Sequence, residues 1–243
     1  MRLELISCEV LFREMCHALA RSPHQVNVRF LSKGLHDLGG TAMRRELQQK
    51  IDESPDCDAI LLGYALCGNG LQGLEARRTP LVMPRAHDCI ALLMGSREAY
   101  AEYFESNPGT YFRSTGWLER GQTLQQLSSG AQAGSESLPA LIERYGEENG
   151  RYLYEEFTRY RQHYQQLTYI ETGLEPNRSF EEQARAEAGE RGWRFSKAAG
   201  NLRLFEQLVN GDWPEEDFLI VPPGSRAVAS YDHQVIRCEG GTP

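Results

Sequence analysis

The sequence of 243 residues contains no apolar run approaching the roughly 20 residues that a membrane-spanning helix needs. Basic residues are also scarce, because 26 Lys and Arg stand against 34 Asp and Glu, and the net charge is -8. A chain of that charge is not expected to bind phosphate backbones without sequence preference. We therefore expect neither a membrane span nor a nucleic-acid partner. Glu4 stands where a signal peptide would be apolar, which predicts a cytoplasmic protein.

Several common catalytic signatures are missing as well. The sequence has no Walker loop, no HExxH zinc helix, no nucleophile elbow and no Ser-His-Asp order. The six cysteines form no CxxC pair, which disfavours a zinc knuckle. Without a secretion signal, we expect these cysteines to be reduced thiols or metal ligands rather than a disulfide framework.

The first 95 residues alternate between short β-rich runs and helical patterns, which is typical of βαβ units. The predicted strands span residues 3–7, 26–31, 59–63 and 81–83, and later 193–196 and 218–221. The predicted helices span residues 9–20, 41–51 and 202–209, and a further one begins near Asp88. We therefore predict a single α/β domain over residues 1–243, built on an open, mainly parallel, doubly wound sheet of Rossmann-like type.

Residues 97–190 depart from this pattern and predict a mostly helical insertion. Helical periodicity covers residues 96–104 and 138–170, and the second run carries a tyrosine-rich stripe that is typical of core packing or of an interface between copies of the chain. Between these runs, the irregular stretch 107–117 is rich in glycine and aromatic residues. We expect it either to cover the strand ends, with Tyr111 and Trp117 facing a ligand, or only to plug the sheet.

Thiols and imidazoles follow the predicted strands at the point where each strand ends. Cys8 follows the first strand, His36 the second and Cys67 the third, while His87 and Cys89 follow the fourth. Ligands of open α/β sheets bind beyond these carboxyl ends. Thiolate and imidazole suit borderline-soft metals, so Cys8, Cys67, His87 and Cys89 predict a zinc site or, with three cysteines, an iron–sulfur cluster. Metal-free thiol chemistry and plain core packing remain alternatives.

A glycine-rich loop follows the third strand. Gly68, Asn69 and Gly70 open a GxGxxG pattern, but its position after the third strand rather than the first disfavours a dinucleotide site. We expect the backbone N–H groups of this loop to approach a small substrate anion, with Arg85 as a bidentate partner.

Three side chains are candidates for moving a proton at this site. They are His36, His87 and Tyr111. Trp117 is expected to contact the substrate.

Several short motifs together resemble the domain-of-unknown-function family 1638, which occurs in anaerobic bacteria and archaea. The residues that carry the resemblance are Cys8, Gly63-Tyr64, Leu66-Cys67-Gly68-Asn69-Gly70, Pro84-Arg85, His87-Asp88-Cys89, Leu93, Gly95-Ser96, Pro108-Gly109-Thr110-Tyr111 and Gly116-Trp117. Members of this family often accompany corrinoid-dependent methyl-transfer systems. The resemblance therefore implies a link to one-carbon metabolism, with a corrinoid protein or a methyltransferase as a partner that carries the corrinoid.

Taken together, residues and resemblance predict a metal-dependent transferase or hydrolase that acts on a small anionic substrate, with thiol or methyl transfer as the candidate reactions. Two further hypotheses stay open. One is a metal or corrinoid chaperone for a methyltransferase, and the other is a metal-free cysteine-dependent hydrolase. An open coordination position would indicate catalysis, whereas four protein ligands would indicate a structural or carrier role.

Overall fold

The computed structural model of the chain describes residues 1–35, 40–67, 69–120, 164–230 and 232–240, together with positions 142, 146, 147 and 151. Its strands are β1 (Arg2–Cys8), β2 (Gln25–Leu31), β3 (Ala59–Gly63), β4 (Glu75–Ala76), β5 (Leu81–Pro84), β6 (Thr110–Ser114), β7 (Gln166–Glu171), β8 (Arg194–Ala199), β9 (Phe218–Val221), β10 (Ser225–Ala229) and β11 (Ile236–Glu239). Its helices are α1 (Phe12–Leu19), α2 (Gly40–Asp52), α3 (Cys89–Met94), α4 (Arg97–Ser106), α5 (Ser179–Glu190) and α6 (Arg203–Asn210). A further helical segment covers residues 115–120.

The central sheet has five strands in the order β2-β1-β3-β5-β9. The first four strands in that order run parallel, and β9 pairs antiparallel with β5. All five residues of β3 and all four of β5 are buried, as expected for parallel strands that are covered on both faces. The chain is therefore a mixed α/β protein with a mainly parallel central sheet. Its five strands correspond to the strands predicted at 3–7, 26–31, 59–63, 81–83 and 218–221.

A second sheet has three parallel strands in the order β6-β7-β8. The strand predicted at 193–196 belongs here rather than to the central sheet. Two predictions for the insertion are corrected. The stretch 107–117 holds strand β6, and the run 138–170, predicted as a helix, ends in strand β7.

The cause of the second correction is long-range pairing. Thr168, Tyr169 and Ile170 are β-branched or aromatic residues that fit a strand, and β7 gains a partner strand on each side. Tyr164 and Leu167 are spaced three residues apart, as on one face of a helix, and this spacing is the reason for the helix prediction. Most of the predicted helix and of its tyrosines lies outside the described residues.

The remaining strands form a small antiparallel sheet in the order β11-β10-β4. Among the helices described, none combines the length and the apolar character that crossing a bilayer requires.

The second sheet docks onto the first through a backbone contact at Gly116. A Cβ atom added to this glycine would lie 1.7 Å from the carbonyl oxygen of Val10, which belongs to the 3₁₀ turn directly after β1. Beside this contact, the Arg13 guanidinium donates to both carboxylate oxygens of Glu119, at 2.8 and 3.0 Å. The approach requires glycine, and it fixes where the next residue, Trp117, lies.

We expect Gly116→Ala to lower the free energy of unfolding by about 3 kcal/mol, because the added methyl group forces two backbone segments apart. Denaturant unfolding measures this change. The matched control is Gly189→Ala in α5, where no atom lies within 4 Å of the added Cβ. Alanine should be neutral there or stabilise the helix by up to about 1 kcal/mol. Equal losses in both variants would contradict the proposed contact.

A buried carboxyl group joins α1 to the segment after β7. Glu14 is only 1% exposed, and its Oε1 accepts a hydrogen bond of 3.1 Å from the hydroxyl of Thr172. Its Oε2 has no hydrogen-bond partner among the described residues. Burial, together with the nearby negative charge of Glu175, raises the pKa of Glu14 above its usual value of 4.5.

Because the pKa of Glu14 is raised in the folded state, its contribution to stability is complete below pH 4.5 and is lost as the pH rises through the folded-state value. We therefore expect Glu14→Gln to be more stable than the wild type at pH 8 and to lose this advantage near pH 4. Guanidinium titrations at both pH values test this. Glu182→Gln, at an exposed position of α5, is the control. A Glu14→Gln effect that is the same at both pH values would show that charge burial is not its cause.

Candidate functional site

Three cysteines lie at the carboxyl ends of three neighbouring parallel strands. Cys8 is the last residue of β1, Cys67 lies four residues after β3, and Cys89 is the first residue of α3, just after β5. Two backbone hydrogen bonds extend the pairing past the strands: Leu66 N–H donates to the carbonyl of Ala86 at 2.8 Å, and Cys67 N–H donates to that of His87 at 2.9 Å. This extension holds the loop that carries Cys67 beside the one that leads into Cys89.

The three thiols lie within range of one another's charge, and all three are protonated at neutral pH. Burial raises the pKa of Cys8 to about 12 and that of Cys67 to about 12, and it raises the pKa of Cys89 well above the usual value of 9.0. Charge on Cys8 raises the pKa of Cys67 further, and charge on either of these raises that of Cys89. The cluster therefore resists forming a thiolate unless a positive charge is supplied.

Trp117 closes this cluster on one side. Its indole Nε1–H donates to the Sγ of Cys89 at 3.3 Å, and the ammonium of Lys33 lies 4.5 Å from the centroid of its ring. Lys33 also lowers the pKa of Cys8 through its charge, which offsets a small part of the burial effect. The sequence pattern indicated Trp117 but not Lys33, although Lys33 lies only two residues after the second predicted strand, 26–31.

His87 does not join the three thiols. Its side chain is exposed, and the residue contributes its carbonyl oxygen to the hydrogen bond with Cys67. Within the part of the chain that the structure describes, no three His, Cys, Asp or Glu side chains stand in an arrangement that holds a metal ion. The predicted four-ligand set of Cys8, Cys67, His87 and Cys89 is thus not assembled.

The glycine-rich loop faces a different part of the surface. His36 and Gly68 lie outside the described residues. Asn69 lines a polar cleft of about 350 Å³ beside the beginning of α2, together with Arg44 and Gln72. The N–H of Gly70 donates to the carbonyl of Leu66 at 2.9 Å, and a Cβ there would lie 2.4 Å from the Sδ of Met43. Close packing against α2 therefore accounts for this glycine.

Arg85 has a structural role in the contacts that the structure shows. The side chain is buried, and its guanidinium donates to backbone carbonyl oxygens of the C-terminal part of the chain, namely those of Glu215 at 2.8 Å, Phe218 at 3.2 Å, Gln234 at 3.3 Å, and Ile236. These bonds fasten the residues around β9 and β11 to the end of β5. The geometry does not direct Arg85 toward a substrate anion.

A cavity of about 550 Å³ opens beside the cysteines. Six aromatic side chains line it, namely Tyr100, Phe104, Tyr111, Phe112, Trp117 and Tyr164. Asp88 and Cys89 line it too, so the cavity reaches the thiol cluster. A larger groove of about 1000 Å³ runs along α2, but its lining contains no cysteine, and its charges include the ion pair of Arg77 with Asp52.

Asp88 and Tyr100 form the polar part of this cavity. The Oδ1 of Asp88 caps α3 by accepting from the N–H groups of Ile90 and Ala91, at 3.0 and 3.2 Å. Burial raises the pKa of Tyr100, and the neighbouring carboxylate of Asp88 raises it further. Tyr100 therefore stays protonated and acts as a hydrogen-bond donor, a role that the sequence did not indicate.

Tyr111 belongs to an aromatic cluster at the other sheet. Its ring centroid lies 5.3 Å from that of Tyr164 and 5.6 Å from that of Trp193, and the guanidinium of Arg113 lies 4.6 Å from the ring centroid. Among the candidates for proton transfer, Tyr111 lines the cavity, His87 is exposed and His36 is not described.

The raised pKa values predict slow thiol chemistry in the metal-free protein. We expect the rate of alkylation of Cys67 by iodoacetamide to be still rising at about pH 10, because the thiolate fraction grows until the pH passes about 12. Peptide mass spectrometry at a series of pH values measures this rate, and the unfolded protein in guanidinium gives the reference. A plateau below pH 9 in the folded protein would show that the thiolate is stabilised instead.

Comparison with known proteins places the chain in a family. No curated protein and no solved structure matches it. A family model described as a protein of unknown function (DUF1638) matches residues 30–209, a span that contains Cys67, Cys89 and Trp117 and about three quarters of the 243 residues. The chain is a member of the DUF1638 family.

Proposed function

We propose that the protein is a metal-dependent enzyme in which Cys8, Cys67 and Cys89 bind a thiophilic ion, most simply zinc, at the strand ends. The observation that carries the proposal is the burial of three thiols, from three separate strand ends, within range of one another's charge. Sulfur donors suit zinc or an iron–sulfur cluster better than a hard cation. A bound zinc ion supplies the positive charge that keeps the thiols deprotonated, and with three protein ligands it offers a fourth position to substrate.

The raised thiol pKa values favour this proposal over a metal-free cysteine hydrolase. A nucleophilic cysteine needs a lowered pKa from a nearby base or cation, whereas burial acts in the opposite direction at Cys67. Since the thiols do not stand in a ligating arrangement, metal binding requires their side chains to close on the ion. Cys67 has a positive φ of 45°, a strained conformation that is frequent at functional sites.

The surrounding residues have distinct tasks in this proposal. Trp117 excludes water and donates its indole N–H to the sulfur of Cys89. Lys33 offsets part of the negative charge that three thiolates would bring to the strand ends. The substrate enters through the aromatic cavity, where the Tyr100 hydroxyl, which keeps its proton, is a hydrogen-bond donor beside Asp88. Thiol or methyl transfer and hydrolysis are both reactions that such a site supports.

The family resemblance bears on the partner of the protein, and the cysteines bear on its location in the cell. The link to corrinoid methyl transfer, with a corrinoid protein or a methyltransferase as partner, rests on the family resemblance alone. Free cysteines are typical of a reducing compartment, which supports a cytoplasmic location. The parallel order β2-β1-β3-β5 supports a doubly wound, Rossmann-like arrangement. The small anionic substrate stays a prediction that Arg85 does not support.

Metal content tests the proposal directly. Protein purified anaerobically without a histidine tag should contain about one zinc ion per chain, or iron with sulfide if the site holds a cluster. Cys67→Ser and Cys89→Ser should lose the metal, whereas Cys16→Ser, which changes a thiol on α1, should keep it. Cobalt substitution should add a thiolate charge-transfer band that the two cluster variants lack.

Two results would decide against a metalloenzyme. Wild-type protein that retains no zinc or iron after loading and desalting would leave the cysteines as core residues. Metal held by four protein ligands in the cobalt spectrum would favour the carrier hypothesis, because no position would then be open to substrate.

A further inference from the structure

We propose that the cavity beside the cysteines binds a small organic cation of the alkylated-ammonium class, held by aromatic rings and by the carboxylate of Asp88. As a statement about the substrate, this inference rests on the proposed function and replaces the small anion with a cation. As a binding site, it stands on the cavity alone.

The cavity is lined mainly by aromatic side chains. Tyr100 meets Phe112 edge-on, with centroids 5.8 Å apart and an interplanar angle of 65°, and Tyr111 meets Tyr164 at 5.3 Å and 70°. Rings set at such angles present both faces and edges to the open cavity, an arrangement that resembles the aromatic boxes that bind quaternary ammonium groups.

Two rings of this lining already carry a cation of the protein. The Lys33 ammonium lies 4.5 Å from the centroid of Trp117, and the Arg113 guanidinium lies 4.6 Å from that of Tyr111. Both distances fall within the roughly 6 Å over which a ring face attracts positive charge. Arg191 lies 5.6 Å from the Tyr111 centroid as well, so these two rings already serve the protein's own cations and the ligand would contact the other rings of the lining.

The formal charges of the cavity lining also favour a cation. Arg113 and Asp88 are the formally charged side chains of the cavity lining. Arg113 is paired with both carboxylate oxygens of Glu187, each at 2.8 Å, so its charge is compensated. Among the described residues, the hydrogen bonds to Asp88 come from two backbone N–H groups, which carry no formal charge. Within the described part of the chain, no formally charged donor compensates Asp88, so its negative charge can pair with a ligand.

These features select against other ligand classes. An anion would meet a carboxylate and the negative faces of the rings. A primary ammonium needs three hydrogen-bond acceptors, whereas this lining is mainly apolar. Alkyl groups on the nitrogen instead match the aromatic walls, and about 550 Å³ lies within the usual range of small-molecule sites, roughly 300–1,000 Å³.

Choline and its neutral isostere 3,3-dimethylbutan-1-ol test the inference, because they differ in charge and hardly in shape. Isothermal titration calorimetry on the full chain should give a Kd for choline about tenfold lower than that for the alcohol. Asp88→Asn should weaken choline binding by about tenfold and leave the alcohol unchanged. Asparagine caps a helix as well as aspartate does, so α3 should be preserved.

Two further variants test the aromatic contact and control for the change in charge. Phe104→Leu, at a half-exposed ring of the cavity, should weaken choline by about threefold without affecting the alcohol. Glu102→Gln makes the same charge change as Asp88→Asn on an exposed position of α4, and it should leave both ligands unchanged. Equal affinity for choline and the alcohol, or no binding of choline, would overturn the inference, as would acetate binding more tightly than choline.

The inference and the proposed function fail separately. Choline binding is measured with and without zinc, and again in Cys67→Ser. Charge-selective binding that persists in protein without metal would retain the cation site while the metal proposal falls. Metal binding without choline binding would do the reverse.

Discussion

The parallel pairing of β1, β3 and β5 is the constraint on which the rest of the site depends. Strands that run in one direction end at one edge, so the chain leaves all three at the same place. The bonds from Leu66 to Ala86 and from Cys67 to His87 continue this pairing into the loops. Burial raises the pKa of all three thiols, charge on Cys8 raises the pKa of Cys67 further, and charge on either of these raises that of Cys89.

The second sheet turns that edge into an enclosed site. Gly116 lets the segment after β6 approach the Val10 carbonyl, and Trp117 then reaches the sulfur of Cys89. The same sheet brings Tyr111 and Phe112 to the cavity wall. The cavity is thus formed between elements of both sheets, and its shape depends on a backbone contact at which no residue larger than glycine fits.

The sequence predicts those parts of the molecule whose causes are local. All five residues of β3 are buried, and such a run indicates a parallel strand even when its partner strands are not known. Cys8 and Cys67 are predicted site residues because Cys8 directly follows the first predicted strand and Cys67 lies four residues after the third. Lys33 was within reach of the same argument, since it also follows a predicted strand.

Other features depend on partners that are distant in sequence. The carbonyl groups that Arg85 binds lie at least 130 positions further along the chain, so the residue type suggested a substrate anchor instead. His87 carries a metal-binding side chain, yet its position is set by the main-chain bond to Cys67, and its side chain is exposed. β7 is a strand because it pairs on both sides, which overrides the helical spacing of its aromatic residues.

The strand ends disfavour negative charge and attract positive charge. Burial opposes negative charge on Cys8, Cys67 and Cys89, and the Asp88 carboxylate and the ring faces of the cavity beside Cys89 attract positive charge. The positive charge of Lys33 offsets only part of the burial effect, because it lowers the pKa of Cys8 by less than burial raises it. A metal ion at the sulfurs and an organic cation in the cavity would both supply positive charge to a place where the protein provides too little. The electrostatics of the strand ends therefore favour cationic ligands at both positions.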